Sequence, residues 1–242
     1  MIRALSIVVA ALLAAYVAAM AFFFRDVKED GMCADVQVVL RDSLEKHFVT
    51  EGDVVYLLKK AGIYPVDQPM KEINTEKIER KLIAYDMISN IEAYKTPSRM
   101  IKLEVEQKMP ILRVNSTSGN YYVDNRGSVM PLSRHYVAHV LVASGYIDKE
   151  LATGDLYHFA RFLQENEFWN DQIDQVYVDA DNEIELIPLV GNHKILLGSF
   201  DDYQKKLENL KLFYEQAIPK VGWEKYSLIN LKYRNQIVCT KR

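Results

Sequence analysis

The chain has 242 residues, 49% apolar and 26% charged, with 30 basic and 33 acidic residues and a formal charge of −3. That length suits one or two domains, and the apolar content excludes a disordered chain. Two cysteines exclude a disulfide scaffold or a four-thiolate zinc site, and the mild acidity offers nothing to a nucleic acid.

The charge is unevenly spread. Residues 4–24 (ALSIVVAALLAAYVAAMAFFF) carry none, and as a helix they would span roughly 31 Å, the thickness of a bilayer's hydrocarbon core. Two readings fit: an uncleaved membrane anchor, or a secretory signal cut near Ala19-Met20-Ala21. The length of the run and the phenylalanines after the cut favour the anchor. Either reading exports the rest, since only three residues precede the run. Arg3 faces Arg25 and Lys28 across it, so charge alone does not orient it. All acidic residues and every basic one except Arg3 follow the run, which leaves the exported part at about −4.

Next, Val36, Val38 and Leu40 alternate as in a half-buried strand. Thr50 to Asp53 form a capping box that opens a helix with Val54, Leu57, Leu58 and Ala61 on one face and Gly62 as its stop. Pro65 and Pro69 mark a loop. Asn74 or Thr75 caps a second helix with Ile78, Leu82 and Tyr85 along one side. Two strands follow, about Ile91 to Tyr94 and then Ile101, Leu103 and Val105 alternating with Lys102, Glu104 and Glu106; Thr96-Pro97-Ser98 turns the chain between them. The order is strand, helix, helix, strand, strand.

From Pro110 the pattern changes to short strands. Turn signals at 116–120 and 124–127 flank Tyr121-Tyr122-Val123. Thr153 is the expected cap of a helix with Leu156, Phe159, Ala160 and Leu163 inward. Residues 176–178 and 184–186 form a hairpin, and 194–197 another strand. Ser199 is the expected cap of a last helix, whose face is Tyr203, Leu207, Leu210, Tyr214 and Ala217 and which Pro219 ends. A single strand from Tyr226 to Val238 closes the chain. The expected fold is α+β: an anchor (1–25), a small β-α-α-β-β domain (26–109) and a β-rich domain with flanking helices (110–242).

Catalytic patterns do not emerge. His135 and His139 could share a helix face, but two imidazoles without a third ligand make no metal site, and His47, His158 and His193 fit no ligand spacing. They read as ordinary surface or helix histidines. Asp179, Asp181 and Glu183 mimic the start of a calcium loop, which Ile184 and Val190 then break, and a hairpin turn explains them better. No nucleophile elbow, P-loop or dinucleotide fingerprint is present. Cys33 and Cys239 are either free thiols or, in an oxidising compartment, a disulfide. No cofactor and no enzymatic activity is expected.

Four segments in order resemble the FtsQ/DivIB family of bacterial cell-division proteins. Residues 48–57, beginning FVTEGDV, resemble the first helix of its POTRA domain with its lead-in. Residues 101–110 (IKLEVEQKMP) resemble the end of that domain. Residues 122–129 (YVDNRGSV) resemble the turn that starts the C-terminal β domain. Residues 229–237 (INLKYRNQI) resemble the terminal strand. The sequence departs from the family in its three-residue N-terminal tail and in reading Met130-Pro131-Leu132 where Leu-Pro is usual.

The resemblance implies a single-pass protein of the inner membrane, held through residues 4–24, with its bulk in the periplasm at the division septum. It implies a non-enzymatic scaffold that binds small coiled-coil division proteins of the FtsB and FtsL type and helps regulate septal peptidoglycan synthesis. It also implies that the last strand, with the helix before it, binds the partner by strand addition. Ile229, Leu231, Lys232, Tyr233 and Asn235 are the partner-binding positions on this reading. As one continuous strand they would place Ile229, Leu231 and Tyr233 on one face; Tyr233 then either anchors a partner or packs in the core. The competing readings are a membrane-anchored envelope enzyme, which needs a polar cleft around the histidines or the acidic hairpin, and a POTRA-type chaperone for outer-membrane protein assembly.

Overall fold

The computed structural model describes residues 12–20, 31–41 and 48–242. Of the apolar run, 12–20 are helical, with Leu12, Leu13, Tyr16 and Val17 exposed; the rest of the anchor lies outside the described residues. Among the described residues, no helix is long and apolar enough to cross a membrane. The chain divides into two compact units, one ending at Gln107 and the other running Lys108–Arg242.

The first unit is built from β1 (Asp35–Leu40), α1 (Glu51–Lys60), α2 (Thr75–Leu82), β2 (Ile88–Lys95) and β3 (Met100–Gln107). The strands order as β1-β3-β2, with β1 parallel and β2 antiparallel to β3. The strict alternation of β3 sets the layers. Ile101, Leu103 and Val105 are fully buried, as are Val54 and Leu58 of α1 and Ile78 and Leu82 of α2. Lys102, Glu104 and Glu106 form the wet face, where Arg41 donates to Glu104 at 2.7 Å and to Glu106 at 2.9 Å. Hydrogen bonds from the Tyr94 hydroxyl, Arg41 and Lys102 hold the Glu104 carboxyl down at about 2.

The helix starts form as their sequences require. The Asp53 N–H donates to the Thr50 side chain and the Thr50 N–H to the Asp53 carboxylate, completing the capping box. Asn74 caps α2 through the Lys77 N–H. Two polar contacts, one buried and one partly buried, finish the unit. The Gln107 side chain accepts from the Val49 N–H at 2.9 Å, and the Glu79 carboxylate of α2 accepts from the Ala93 N–H on β2 at 2.7 Å. Tyr85 lies beyond the end of α2, in the turn into β2.

The second unit contains β4 (Pro110–Ser116), β5 (Gly119–Asp124), β6 (Val129–Met130), β7 (Leu141–Gly145), α3 (Lys149–Thr153), α4 (Asp155–Glu165) and α5 (Glu167–Asn170). It continues with β8 (Ile173–Val178), β9 (Ile184–Pro188), β10 (Lys194–Gly198), α6 (Tyr203–Gln216), α7 (Ile218–Val221), β11 (Tyr226–Asn230) and β12 (Val238–Lys241). The nine strands order as β12-β11-β10-β9-β8-β7-β4-β5-β6. Three neighbouring pairs are parallel: β4 with β7, β7 with β8, and β10 with β11. Parallel neighbours need crossovers, and two of these carry the helices: α3 to α5 lie between β7 and β8, and α6 with α7 between β10 and β11. Leu156, Phe159 and Leu163 of α4 and Leu207, Leu210 and Tyr214 of α6 share one core with the buried strand residues. Phe159 meets Tyr203 edge to face at 5.2 Å between ring centroids, tying α4 to α6.

Several expectations are corrected here. Asp148, not Thr153, is the side-chain cap at this corner, and it starts the short α3; Thr153 ends α3, its hydroxyl donating to the Lys149 carbonyl. Ser199 does not cap α6: its hydroxyl binds the Asp201 carboxylate, and Asp202 enters the helix in a left-handed conformation. Pro219 sits inside α7, where the first turn leaves its missing N–H without consequence. The closing strand is two strands, β11 and β12, joined by residues 231–237.

Candidate functional site

The C-terminal region is assembled around β10. Ile229 of β11 stands opposite Ile195 of β10 in parallel register, and the Leu231 N–H donates to the Leu196 carbonyl. Both Ile229 and Leu231 are therefore core residues, 0% and 3% exposed. The chain then turns away. The Lys232 N–H donates to the Asn230 side chain, the Gln236 N–H to the Tyr233 carbonyl, and Asn235 adopts a positive φ of 59°. β12 returns antiparallel to β11, with Cys239 opposite Ile229 and Val238 opposite Asn230.

The five predicted partner-binding residues thus separate. Ile229 and Leu231 are buried in the sheet, while Lys232, Tyr233 and Asn235 lie in the connecting loop. Tyr233 is 55% exposed, so it neither shares a face with Ile229 nor packs in the core. Lys232 pairs with Glu183 from the β8–β9 turn, and that hydrogen bond raises the lysine's pKa.

A groove of about 540 Å³ lies between this loop and the start of α6, lined by Asp201, Lys205, Asn209, Tyr233, Arg234 and Ile237 among others. At its base, Lys206 donates to the Leu197 and Ser199 carbonyls at 3.1 and 2.9 Å, and burial lowers its pKa. The α6 start and the 231–237 loop are thus held side by side, each through contacts to β10.

β12 has β11 on one side and no strand on the other among the described residues. Val238, Thr240 and Lys241 are exposed and Cys239 half-buried. The Arg242 N–H donates inward, to the Lys225 carbonyl. Period-two alternation then turns the N–H groups of Cys239 and Lys241 outward. The end of the strand is fastened as well: the Arg242 guanidinium donates to Glu224 and to the Asn192 carbonyl, both at 2.5 Å. Beside that clamp, the His193 ring is buried, 2.8 Å from the Tyr214 hydroxyl and stacked on Trp223. The opposite sheet edge, β6, is two residues long and stops at Pro131.

The features that would have indicated chemistry fall elsewhere. His135 and His139 are on no helix, since residues 131–140 carry no regular structure, and His193 is a core residue rather than a surface one. A groove of about 380 Å³ includes His139, but its lining holds no Ser, Thr or Cys. The acidic hairpin is a turn: Asp179 accepts from the N–H groups of Asp181 and Glu183, each at 2.8 Å. Among the described residues, no three His, Cys, Asp or Glu side chains converge as a metal ion would require, and Cys33 and Cys239 are both free thiols.

The loop between β11 and β12 was missed in sequence, where the stretch reads as one strand. Glu183 as the partner of Lys232, and the buried His193, had no sequence signal, because both depend on contacts between distant segments.

Two family models match the chain. The one described as FtsQ/DivIB, C-terminal related covers residues 109–240, and one described as a POTRA-like domain covers residues 31–106. No curated protein matches.

Proposed function

The chain belongs to the FtsQ/DivIB C-terminal-related family, and from that premise we propose that it is a membrane-held scaffold of the bacterial division machinery that captures its partner on β12. The family connects the chain with cell division, and its POTRA-like unit fits the same assignment.

On this reading residues 4–24 anchor the protein in the inner membrane, and both folded units stand in the periplasm at the septum. The partners are small coiled-coil division proteins of the FtsB and FtsL type, and the complex regulates septal peptidoglycan synthesis without chemistry of its own. The observation that carries the proposal is the open edge of β12, whose outward backbone groups can template an added strand. Tyr233 and the groove beside α6 supply side-chain contacts next to that edge, an exposed aromatic being a low-entropy anchor.

The test is capture of FtsB- and FtsL-type proteins by the full-length chain and its Lys241→Pro variant. That substitution removes an outward N–H and leaves the pairing of β12 with β11 in place. Capture by the parent chain and at least tenfold weaker capture by the variant, at unchanged melting temperature, support the proposal. Equal capture by both, or none by the parent, overturns it.

A further inference from the structure

On the far side of the second unit from β12 in strand order, Arg113 sits in the middle of β4, in register with Tyr122 of β5 and Val142 of β7. It is partly buried, and its Nε is fully buried with no hydrogen-bond partner among the described residues. Among the described residues, no carboxylate pairs with it. A guanidinium is always charged, and leaving one of its donors buried and unpaired is costly. Arg113 also lines the groove of about 380 Å³ that holds His139.

The groove has the other parts of a peptide site. Its walls are apolar at Val137, Leu163 and Ile173. One rim is the irregular segment 137–140, in which the Ala138 N–H donates to the Tyr122 hydroxyl at 3.3 Å. Among the described residues, no other backbone group of that segment is paired with the protein. Unpaired backbone beside apolar walls suits an extended chain, and a guanidinium that lines the groove with no ion pair among the described residues suits a carboxylate on its terminal nitrogens. Asp174 is the one carboxylate in the lining; it is exposed and already accepts from the Gln175 side chain.

We propose that this groove is a second docking site, which binds an extended segment of a protein partner carrying a Glu or Asp side chain between apolar residues, with the carboxylate on Arg113. The site does not depend on β12 or on the partner assigned to it. Asp174 at the rim limits the site to a single carboxylate and disfavours a run of acidic residues.

The probe is the acetylated, amidated tripeptide Leu-Glu-Leu, titrated into the full-length protein and followed by the amide NMR signals of Ala138 and His139. Saturable shifts at these residues, at least tenfold weaker binding of the Leu-Gln-Leu counterpart, and loss of binding in Arg113→Met support the proposal. Arg113→Lys keeps the charge, guards against a merely unfolded variant, and is expected to retain weakened binding. The proposal is overturned if the Glu peptide does not bind, if the Glu and Gln peptides bind alike, if Arg113→Met binds as the parent does, or if only Leu-Gln-Leu with a free C-terminal carboxylate binds.

Discussion

Ile229 and Cys239 stand opposite each other across β11 and β12, so the strand holding the buried Ile229 is an inner strand, and the open edge belongs to the strand holding Cys239. On the proposed function, folding and binding would then fall on neighbouring strands. Ile229→Ala deletes buried methyl groups and is expected to cost about 2–5 kcal/mol of stability. The folded fraction should capture partner as well as the parent chain, which urea unfolding combined with a capture assay can establish.

Tyr233 behaves in the opposite way. It is exposed on the loop and its ring leaves no cavity behind. Tyr233→Glu should leave the melting temperature within about 1 °C, since surface changes away from special features cost little. If the tyrosine anchors a partner, capture should weaken at least tenfold. Unchanged capture would remove Tyr233 from the interface.

His193 makes the second unit sensitive to pH. Burial lowers its pKa, the Arg242 guanidinium adds to that, and Glu224 opposes them. The folded state therefore favours the neutral ring, while the unfolded chain takes up a proton near the ordinary value of about 6.5. The stability it contributes is complete above that pH and declines as the pH falls below it toward the folded-state value, by at most about 1.4 kcal/mol per pH unit. His193→Phe should be less stable at pH 8, because the Tyr214 hydroxyl loses its partner, yet show a shallower loss between pH 7 and 5.5. Parallel stability curves for the two proteins would contradict this.

Gly145 ends β7 with φ of 106°, and a Cβ there would lie 2.0 Å from the Val178 carbonyl oxygen. That oxygen already accepts from the Tyr146 N–H, so it cannot give way cheaply. Gly145→Ala should cost more than about 3 kcal/mol, combining backbone strain with the clash. By contrast, Thr50→Ala in the first unit removes one helix cap and should cost about 1 kcal/mol. Thermal unfolding of the two variants tests this ranking.

The first unit was readable in sequence because its signals are local. The alternation in β3, the Thr50–Asp53 box and the Asn74 cap each report on residues within one turn or one strand. The second unit was less readable because its organisation is non-local. Leu141 to Gly145 was not identified as a strand, although it lies between two parallel neighbours; a short strand of that kind carries no alternation to mark it. The break after Leu231 was hidden because Ile229, Leu231 and Tyr233 keep the period of a strand, while the turn depends on Asn230 capping Lys232 and on the positive φ of Asn235. The family resemblance implied one continuous terminal strand, and the residues it named turn out to be core and loop.

The central claim is that β12 is the docking edge. Its most direct test is amide hydrogen exchange of the full-length protein with and without a captured FtsB- or FtsL-type partner. Slowed exchange at the outward amides of Cys239 and Lys241, with Ile229 and Leu231 unchanged, is the predicted result. Protection that leaves residues 238–241 unaffected and appears elsewhere on the molecule would contradict it.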